Sequence, residues 1–226
     1  MPDFSAFDFF RLHSSVSLIS PEFYLFQQDQ AINEVILIET GLVKLTRSEH
    51  NGNEIIVGLL SSGRLVGAPS AISNRRAVFN AITVTSCKAY RLSINLFFDL
   101  MHSDSTFSGF VTGTIIELQH EVIIRLSQIG LLDARSHLAN TLLEFSRNAM
   151  LQNNGEVRVQ LPLSDVDLAK MLAIAPEHLS RLFRQLVTDG LIRRKGGWTY
   201  ITDIDLLKQE AEGRLHRRVN KTSSHS

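Results

Sequence analysis

The sequence predicts an α+β fold with an all-β N-terminal domain, a long helix and a C-terminal helix-turn-helix followed by a β-hairpin wing. Three observations lead to this prediction. Short β-type runs separated by turn residues extend over residues 24–92, a helical apolar period follows, and residues 163–190 hold two short helical segments joined by a tight turn. We therefore expect three segments, which are residues 1–103, 104–132 and 133–226.

The composition limits the class of protein. The 226 residues are 44% hydrophobic and 20% charged, which is typical of a globular chain and not of a collagen-like or wholly disordered one. A single cysteine, Cys87, excludes an intramolecular disulfide, a zinc ribbon and a four-cysteine iron–sulfur cluster. Because no apolar run is long enough to span a bilayer and no signal peptide is visible, we expect a cytoplasmic protein without a membrane partner.

The formal net charge of zero averages two unlike parts of the chain. From residue 161 to the end, eleven Lys and Arg residues oppose eight Asp and Glu residues, whereas twelve oppose fifteen in the residues before. A basic C-terminal part is compatible with nucleic acid as a partner, although an excess this small is weak evidence. Residues from 214 onward are expected to form a flexible basic tail.

The N-terminal segment is predicted to consist of many short strands. The run VILI at residues 35–38 is followed by the turn residues ETG, and a second run, LVKLT, follows at 42–46. The run HNGN at 50–53 is a hairpin signal between that strand and the next one. Short strands with turns at this spacing predict a small sandwich or barrel.

The helix expected over residues 104–132 has an apolar seam. The seam residues recur at steps of four, three, four and seven, an a/d pattern of almost three heptads, and they are Val111, Ile115, Leu118, Val122 and Ile129. One interpretation is that the seam packs on its own β-domain. The other is a homodimer interface, which we favour because further apolar residues lie outside the seam.

Residues 163–190 contain the start and stop signals of two helices. Ser164, with Asp167 three residues later, resembles a capping box that begins a helix ending near Leu172. Pro176 suits the first turn of the second helix, and Gly190 is a normal residue just after a helix end. Two short helices joined in this way form a helix-turn-helix.

The second helix is predicted to have one buried and one polar face. Its polar face holds four residues at offsets of three, four and seven: Glu177, Ser180, Arg181 and Arg184. A solvated surface with a Glu–Arg pair would have the same pattern. In a DNA major groove, however, Arg181 can donate to guanine O6 and N7, Glu177 can accept from a cytosine amine, and Ser180 can contact a neighbouring base.

A basic hairpin follows the two helices. The run LIRRK at 191–195 and the run WTYIT at 198–202 flank two glycines, so we expect a wing whose cations contact phosphates. The cations assigned to the DNA backbone are Arg184, Arg193, Arg194 and Lys195. A helix-turn-helix with a basic wing predicts double-stranded DNA as the partner.

Two other classes of function compete with this prediction. The eight histidines show no metal-ligand spacing, and the chain has no glycine-rich phosphate loop or nucleophile elbow, so we do not expect an enzyme. The competing hypothesis is a ligand-binding signalling module whose C-terminal domain contacts protein rather than DNA. The Glu177, Ser180 and Arg181 face together with the cationic wing favours DNA.

At the level of motifs, nearly the whole chain resembles the family of cyclic-nucleotide receptor and fumarate–nitrate regulator transcription factors. VILIETGLVKL at 35–45 is similar to a β-hairpin block of this family, and PEHLSRL at 176–182 to the recognition helix of the fumarate–nitrate subgroup. The resemblance implies an N-terminal double-stranded β-helix (a jelly-roll of cyclic-nucleotide-binding type), a long dimerisation helix and a winged helix-turn-helix. It also implies readout of a TTGA-type inverted repeat by Glu177, Ser180 and Arg181, with RNA polymerase as a partner.

The chain departs from this family in its effector segment. Cyclic-nucleotide binders of the family carry Gly-Glu and then Arg-Ser or Arg-Thr, whereas this chain reads GAP at 67–69 and RRAV at 75–78. Because the ribose carboxylate and the hydroxyl beside the arginine are missing, we do not expect a cyclic nucleotide. Haem held by His13, His102 or Cys87 stays open, and so does an unknown small-molecule effector.

Overall fold

The computed structural model describes residues 6–49, 52–131, 133–147, 150–152 and 155–213. The chain divides into two compact units, residues 1–123 and 124–226, which we call the N-terminal and the C-terminal unit. One long helix crosses the boundary between them. Among the described residues, no helix combines the length and the apolar character that crossing a membrane requires.

The N-terminal unit contains two four-stranded antiparallel sheets. Its elements are α1 Ala6–His13, β1 Ser15–Ile19, β2 Tyr24–Phe26, β3 Glu34–Thr40, β4 Val43–Ser48, β5 Glu54–Leu60, β6 Leu65–Val66, α2 Ala68–Ile72, β7 Asn80–Thr83, β8 Cys87–Ser93, α3 Ile94–Ser103 and α4 Ser105–Leu131. The strand orders are β1-β8-β3-β6 and β2-β7-β4-β5. These two sheets form the predicted jelly-roll β-domain. The three short helices α1, α2 and α3 were not predicted.

The position of strand β3 explains why residues 35–38 are all apolar and do not alternate with polar residues. Val35 and Leu37 lie in a core between the first sheet and helices α1, α3 and α4, whereas Ile36 and Ile38 lie in a second core between the two sheets. All four side chains are fully buried. Because successive side chains point to opposite faces of a strand, a strand covered on both faces must be apolar throughout.

The chain changes sheets at Gly41, between β3 and β4. The φ of Gly41 is +101°, and a Cβ there would meet the Cys87 sulfur and the Ser86 backbone carbonyl. Only glycine tolerates both this conformation and this close approach. Strands β4 and β5 then pair as the predicted hairpin, from Val43 opposite Leu60 to Ser48 opposite Glu54. Turn residues 50 and 51 lie outside the described part.

Helix α4 packs part of the predicted dimer seam against its own β-domain, and the seam as a dimer interface stays a prediction. Val111 is fully buried in the core of its own unit, Ile115 packs against the same core, and Leu118 packs against the core between the sheets. These three residues therefore help to cover the β-domain, and Val111 alone among them is fully buried there. Val122 is 44% exposed, and the side chain of Ile129 lies outside the described part.

Among the described side chains of α4, five large apolar ones are exposed, and Val122 is the one of them that belongs to the predicted seam. They are between 44% and 64% exposed, and they are Ile116, Val122, Ile123, Ile124 and Leu126. We call this set the α4 apolar face. Arg64 anchors the helix from the β-domain, since its guanidinium pairs with Glu117 at 2.8 Å and also with Glu121.

The C-terminal unit contains the winged helix-turn-helix. Its elements are α5 Ala134–Ser146, β9 Met150–Leu151, β10 Val157–Val159, α6 Asp165–Leu172, α7 Pro176–Thr188, β11 Ile192–Lys195, β12 Trp198–Ile201 and α8 Ile204–Ala211. The four strands form one antiparallel sheet in the order β11-β12-β10-β9. Helices α6 and α7 confirm the predicted helix-turn-helix, α8 was not predicted, and the expected tail at 214–226 lies outside the described residues.

Candidate nucleic-acid interface

Helix α7 has the two faces that its sequence pattern predicts. Four side chains are buried against the unit's core: Leu179, Leu182, Phe183 and Leu186. On the opposite side, Glu177, Ser180, Arg181 and Arg184 are all exposed. The first three lie in the first half of the helix, which is the part that enters a groove in helix-turn-helix proteins.

Helices α6 and α7 differ in how their starts are capped. The Ser164 hydroxyl accepts a hydrogen bond from the Asp167 backbone N–H at 3.1 Å, so it caps α6 as predicted. Helix α7 begins after Ala175, which has no side chain that can cap, and Pro176 occupies its first turn. Ala173, which ends α6, has a positive φ of 54°. An alanine in this left-handed region is strained.

The two charged base-readout candidates are unpaired. Among the described residues, Glu177 and Arg181 take part in no hydrogen bond or ion pair, so the Glu–Arg pair of a plain solvated helix is absent from this face. Arg184 donates from Nε to the Ser180 carbonyl oxygen at 3.4 Å. An acid and a guanidinium therefore point outward with their hydrogen-bonding capacity unused.

The wing is the hairpin of β11 and β12. Lys195 is paired with Trp198 across the turn, and Gly196 and Gly197 have φ values of +60° and +78°. Two positive φ values are what the tightest hairpin turns require, which explains the two glycines. Lys195 is exposed at the tip, and within the described residues its ammonium has no hydrogen-bond or ion-pair partner.

The other two wing cations have acidic partners. Arg193 donates from Nη2 to Glu156 at 2.6 Å, and its guanidinium carbon lies 4.0 Å from the centre of the Tyr200 ring. The bond to Glu156 raises the pKa of Arg193 above its ordinary value. Arg194 donates to both carboxylate oxygens of Asp165 and lies 4.1 Å from the Phe183 ring centre.

These ion pairs indicate a structural role for two of the four cations that the sequence assigns to the DNA backbone. Arg193 joins the wing to the segment before β10, and Arg194 joins it to the first residue of α6. Both guanidiniums therefore stabilise the position of the wing, while Lys195 keeps its full charge for a ligand. Sequence reasoning also missed Arg158, whose guanidinium lies 4.1 Å from the Trp198 ring centre on the same sheet.

A buried ion cluster supports the far end of α7. The Arg135 guanidinium lies 2.6 Å from Asp189, the residue that ends α7, and 3.1 Å from Glu210 of α8. The side chains of Arg135 and Glu210 are only 9% and 1% exposed. Arg135, a residue of α5, therefore ties the end of α7 to α8, and no sequence motif indicated it.

The N-terminal unit contains a cavity of about 230 Å³. Its walls are mostly apolar, and Ser70, Ser73 and Arg75 are its only polar side chains among the described residues. Arg76 does not line it, because its guanidinium donates to the Asp29 carbonyl oxygen at 2.8 Å.

None of the three candidate haem ligands lines this cavity. His13 ends α1, and His102 contacts the Phe98 carbonyl oxygen at 2.6 Å. Cys87 is buried, and burial raises the pKa of its thiol. No group of three or more His, Cys, Asp or Glu residues suited to a metal occurs in the described ranges.

Comparisons with known proteins agree with this architecture. A family model described as a cyclic nucleotide-binding domain matches residues 19–104, and one described as a Crp-like helix-turn-helix domain matches residues 136–210. The fold and the site thus define a DNA-binding transcription regulator with an N-terminal domain of cyclic-nucleotide-binding type.

Individual relatives also support a regulator of this class. The chain is 23% identical over 192 residues to the cyclic AMP receptor protein of Thermus thermophilus, covering 84% of each protein. Its fold matches TTHA1359, a CRP/FNR-family regulator of the same species, with a TM-score of 0.75, 19% identity, and 88% and 100% coverage of the two chains. It also matches the c-di-GMP responsive regulator CLP of Xanthomonas campestris, with a TM-score of 0.76, 17% identity, and 87% and 98% coverage. Together, the two domain matches and these relatives support a transcription factor of the CRP/FNR type.

Proposed function

We propose that this regulator is a homodimer that reads a TTGA-type inverted repeat with Glu177, Ser180 and Arg181 of each protomer. The observation that carries the proposal is the outward face of α7, where these three side chains are exposed and the two charged ones are unpaired among the described residues. A buried stripe of four apolar residues on the other side holds the helix in place.

The chemistry of the three side chains matches this sequence of bases. A TTGA half-site presents a guanine on one strand and a cytosine opposite it. The Arg181 guanidinium can donate two hydrogen bonds to guanine O6 and N7, and the Glu177 carboxylate can accept one from the cytosine amine. The Ser180 hydroxyl lies between them on the helix and can contact an adjacent base or a thymine methyl.

The DNA backbone is contacted mainly by Lys195 and Arg184. Both are exposed, and Lys195 lies at the turn of the wing. Arg193 and Arg194 are closer to the body of the domain. Each forms an ion pair, with Glu156 and Asp165 respectively, so they add less to phosphate binding. Their main contribution is to orient the wing for Lys195.

The homodimer forms through the α4 apolar face. Its five large side chains would be costly to leave in water, and Gly109 and Gly113 lie exposed on the same helix with open space where a Cβ would stand. A second helix can approach closely at such glycines. Twofold pairing would place two α7 helices in successive major grooves, about 34–36 Å apart, on a pseudo-palindrome.

An effector in the β-domain would act by changing the orientation of the two helix-turn-helix units through a hinge near residues 131–133, of which residue 132 lies outside the described part. As a DNA-binding regulator, the dimer would work in the cytoplasm and act on RNA polymerase. The similarity to CRP/FNR regulators identifies no effector for this chain and no contact with RNA polymerase, so both are proposals.

The test is a binding titration with the full chain. We expect tight binding to a duplex carrying two TTGA-type half-sites as an inverted repeat, and binding at least about 10³-fold weaker to a scrambled duplex of equal length. Binding to both should fall with salt, since phosphate contacts release counterions. Equal affinity for the two duplexes, or binding to neither, would refute the proposal in favour of a module that contacts protein.

A further inference from the structure

We propose that the cavity of the β-domain binds a compact apolar carboxylate and not a cyclic nucleotide. This inference rests on the proposed function, because the ligand is proposed as the effector of that regulator. Three features of the cavity support it: the volume and apolar walls, the unpaired polar groups at one side, and the lack, among the described lining residues, of polar groups that would bind a ribose and a purine.

The size and the walls of the cavity favour a small apolar body. Its volume of about 230 Å³ is less than the roughly 300–1,000 Å³ that is usual for drug-sized ligands. The walls include Phe26, Leu45, Leu60, Phe79 and Leu118. A chain or ring of about eight carbon atoms would gain free energy here in proportion to the apolar area that it buries.

The polar groups lie close together, in α2 and in the turn that follows it. The Arg75 backbone N–H donates to the Ser70 carbonyl oxygen at 2.9 Å, so the two side chains start from one turn. Within the described residues, neither the Arg75 guanidinium nor the Ser70 hydroxyl has a hydrogen-bond partner. The Ser73 hydroxyl is engaged, since it donates to the Pro69 carbonyl oxygen at 2.8 Å. One free cation beside one free hydroxyl suits a single carboxylate.

The nucleoside part of a cyclic nucleotide would find too few polar partners in the same cavity. Ala68 stands in the sequence where cyclic-nucleotide binders of the family carry glutamate, and it is fully buried in the core between the first sheet and the helices. The Arg76 guanidinium is directed to the Asp29 carbonyl oxygen instead of the cavity. Ribose hydroxyls and purine nitrogens would therefore lose their bonds to water without replacement, which disfavours a nucleotide.

The position of Leu118 shows how such a ligand would be sensed. Leu118 lines the cavity and belongs to α4, the helix that carries the α4 apolar face. Arg64, beside the cavity residues Leu65 and Val66, pairs with Glu117 of the same helix turn. A ligand that fills the apolar end would thus press on α4 directly.

The test uses the full chain and octanoate as the probe, with 1-octanol and cyclic AMP as comparators, in calorimetric titrations at concentrations below micelle formation. We expect octanoate to bind about fivefold more tightly than octanol, because one partly exposed ion pair separates them. Cyclic AMP should neither bind nor displace octanoate. Binding of cyclic AMP in competition with octanoate would overturn the proposal.

Two neighbouring arginines provide matched variants. Arg75→Gln should reduce octanoate affinity to that of octanol and leave octanol binding unchanged, whereas Arg76→Gln should leave both affinities unchanged. Equal losses in the two variants, or equal binding of octanoate and octanol to the unmodified protein, would overturn the assignment of Arg75.

Binding to the inverted-repeat duplex, with and without octanoate, separates this inference from the proposed function. If the protein prefers that duplex but does not bind octanoate, the inference fails and the proposed function stands. If octanoate binds through Arg75 but no duplex is preferred, the proposed function fails and the ligand class stands.

Discussion

The guanidinium of Arg194 lies 3.0 and 2.9 Å from the two carboxylate oxygens of Asp165, which joins the wing to the first helix of the helix-turn-helix. The same guanidinium covers the ring of Phe183, a buried residue of the recognition helix. Arg194 therefore joins the wing to both helices of the helix-turn-helix. The forked shape of arginine makes this geometry available, and lysine lacks it.

We predict that Arg194→Lys weakens the domain although it keeps the charge. The free energy of unfolding should fall by about 0.5–1 kcal/mol, because a forked ion pair and a stacked ring contact are lost at a partly exposed site. Chemical denaturation monitored by circular dichroism measures this. Lys195→Arg is the matched control, since Lys195 has no partner within the described residues and should leave stability unchanged. Unchanged stability of Arg194→Lys would contradict this role.

The α4 apolar face predicts the effect of a charge placed on it. Ile123 is 52% exposed, so Ile123→Glu should leave each protomer folded and halve the molar mass measured by light scattering. Leu18 is even more exposed, at 84%, but belongs to strand β1 and not to α4, so Leu18→Glu should keep the mass unchanged. A dimeric Ile123→Glu protein would show that another surface holds the protomers together.

For Val111, on the same helix, we predict a loss of stability without a change in molar mass. Because Val111 is fully buried in its own unit, Val111→Ala should lower the free energy of unfolding by about 2 kcal/mol through lost burial and a small cavity. The mass should not change. Dissociation of the dimer by Val111→Ala, with stability unaffected, would instead support the heptad seam that the sequence pattern suggested.

The sequence predicts the second helix of the helix-turn-helix well because its signals are local. Proline at its start, glycine after its end and an apolar residue at every third or fourth position lie within residues 176–190. The partners of the wing cations could not be predicted in this way. Arg193 and Glu156 are 37 residues apart, and Arg194 and Asp165 are 29 apart, so their contacts depend on how β10, β11 and α6 meet.

Helix α4 shows a different limit of sequence analysis. A helix with apolar residues on several faces has more than one seam with a heptad pattern, and periodicity alone does not tell which seam meets the β-domain. Here Phe107 and Val111 join the core with α1 and α3, helices that had not been predicted. The face left exposed is consequently the one outside the predicted seam, apart from Val122.

The buried cluster around Arg135 predicts a large stability effect. Arg135→Met should lower the free energy of unfolding by about 3 kcal/mol or more, because it leaves the Glu210 carboxylate, which is 1% exposed, without its arginine charge. The double variant Arg135→Met with Glu210→Gln should recover most of that loss, since it removes the second buried charge. Denaturation measures the free energy of unfolding of each variant. If the loss in the double variant equals the sum of the losses in the two single variants, Arg135 and Glu210 are not coupled and the prediction is contradicted.

Buried His137 predicts a pH dependence of stability. Burial lowers the pKa of His137 below its ordinary value of 6.5, and the positive charge of Arg125 lowers it further. The folded chain thus holds the neutral imidazole, so the contribution to stability is complete above about pH 6.5 and is lost as the pH falls through the lower folded pKa. His137→Gln should show a smaller loss of thermal stability between pH 7 and 5 than the unmodified protein, and equal losses would contradict the prediction.

The most direct test of the central claim compares Arg181→Ala with Lys195→Ala on the inverted-repeat duplex and on a scrambled duplex across a salt series. Arg181→Ala should cost about 1–3 kcal/mol on the inverted repeat and little on the scrambled duplex, so that sequence preference is reduced. Lys195→Ala should weaken both alike and reduce the salt dependence by about one counterion. Equal losses on both duplexes from Arg181→Ala would contradict base readout by the recognition helix.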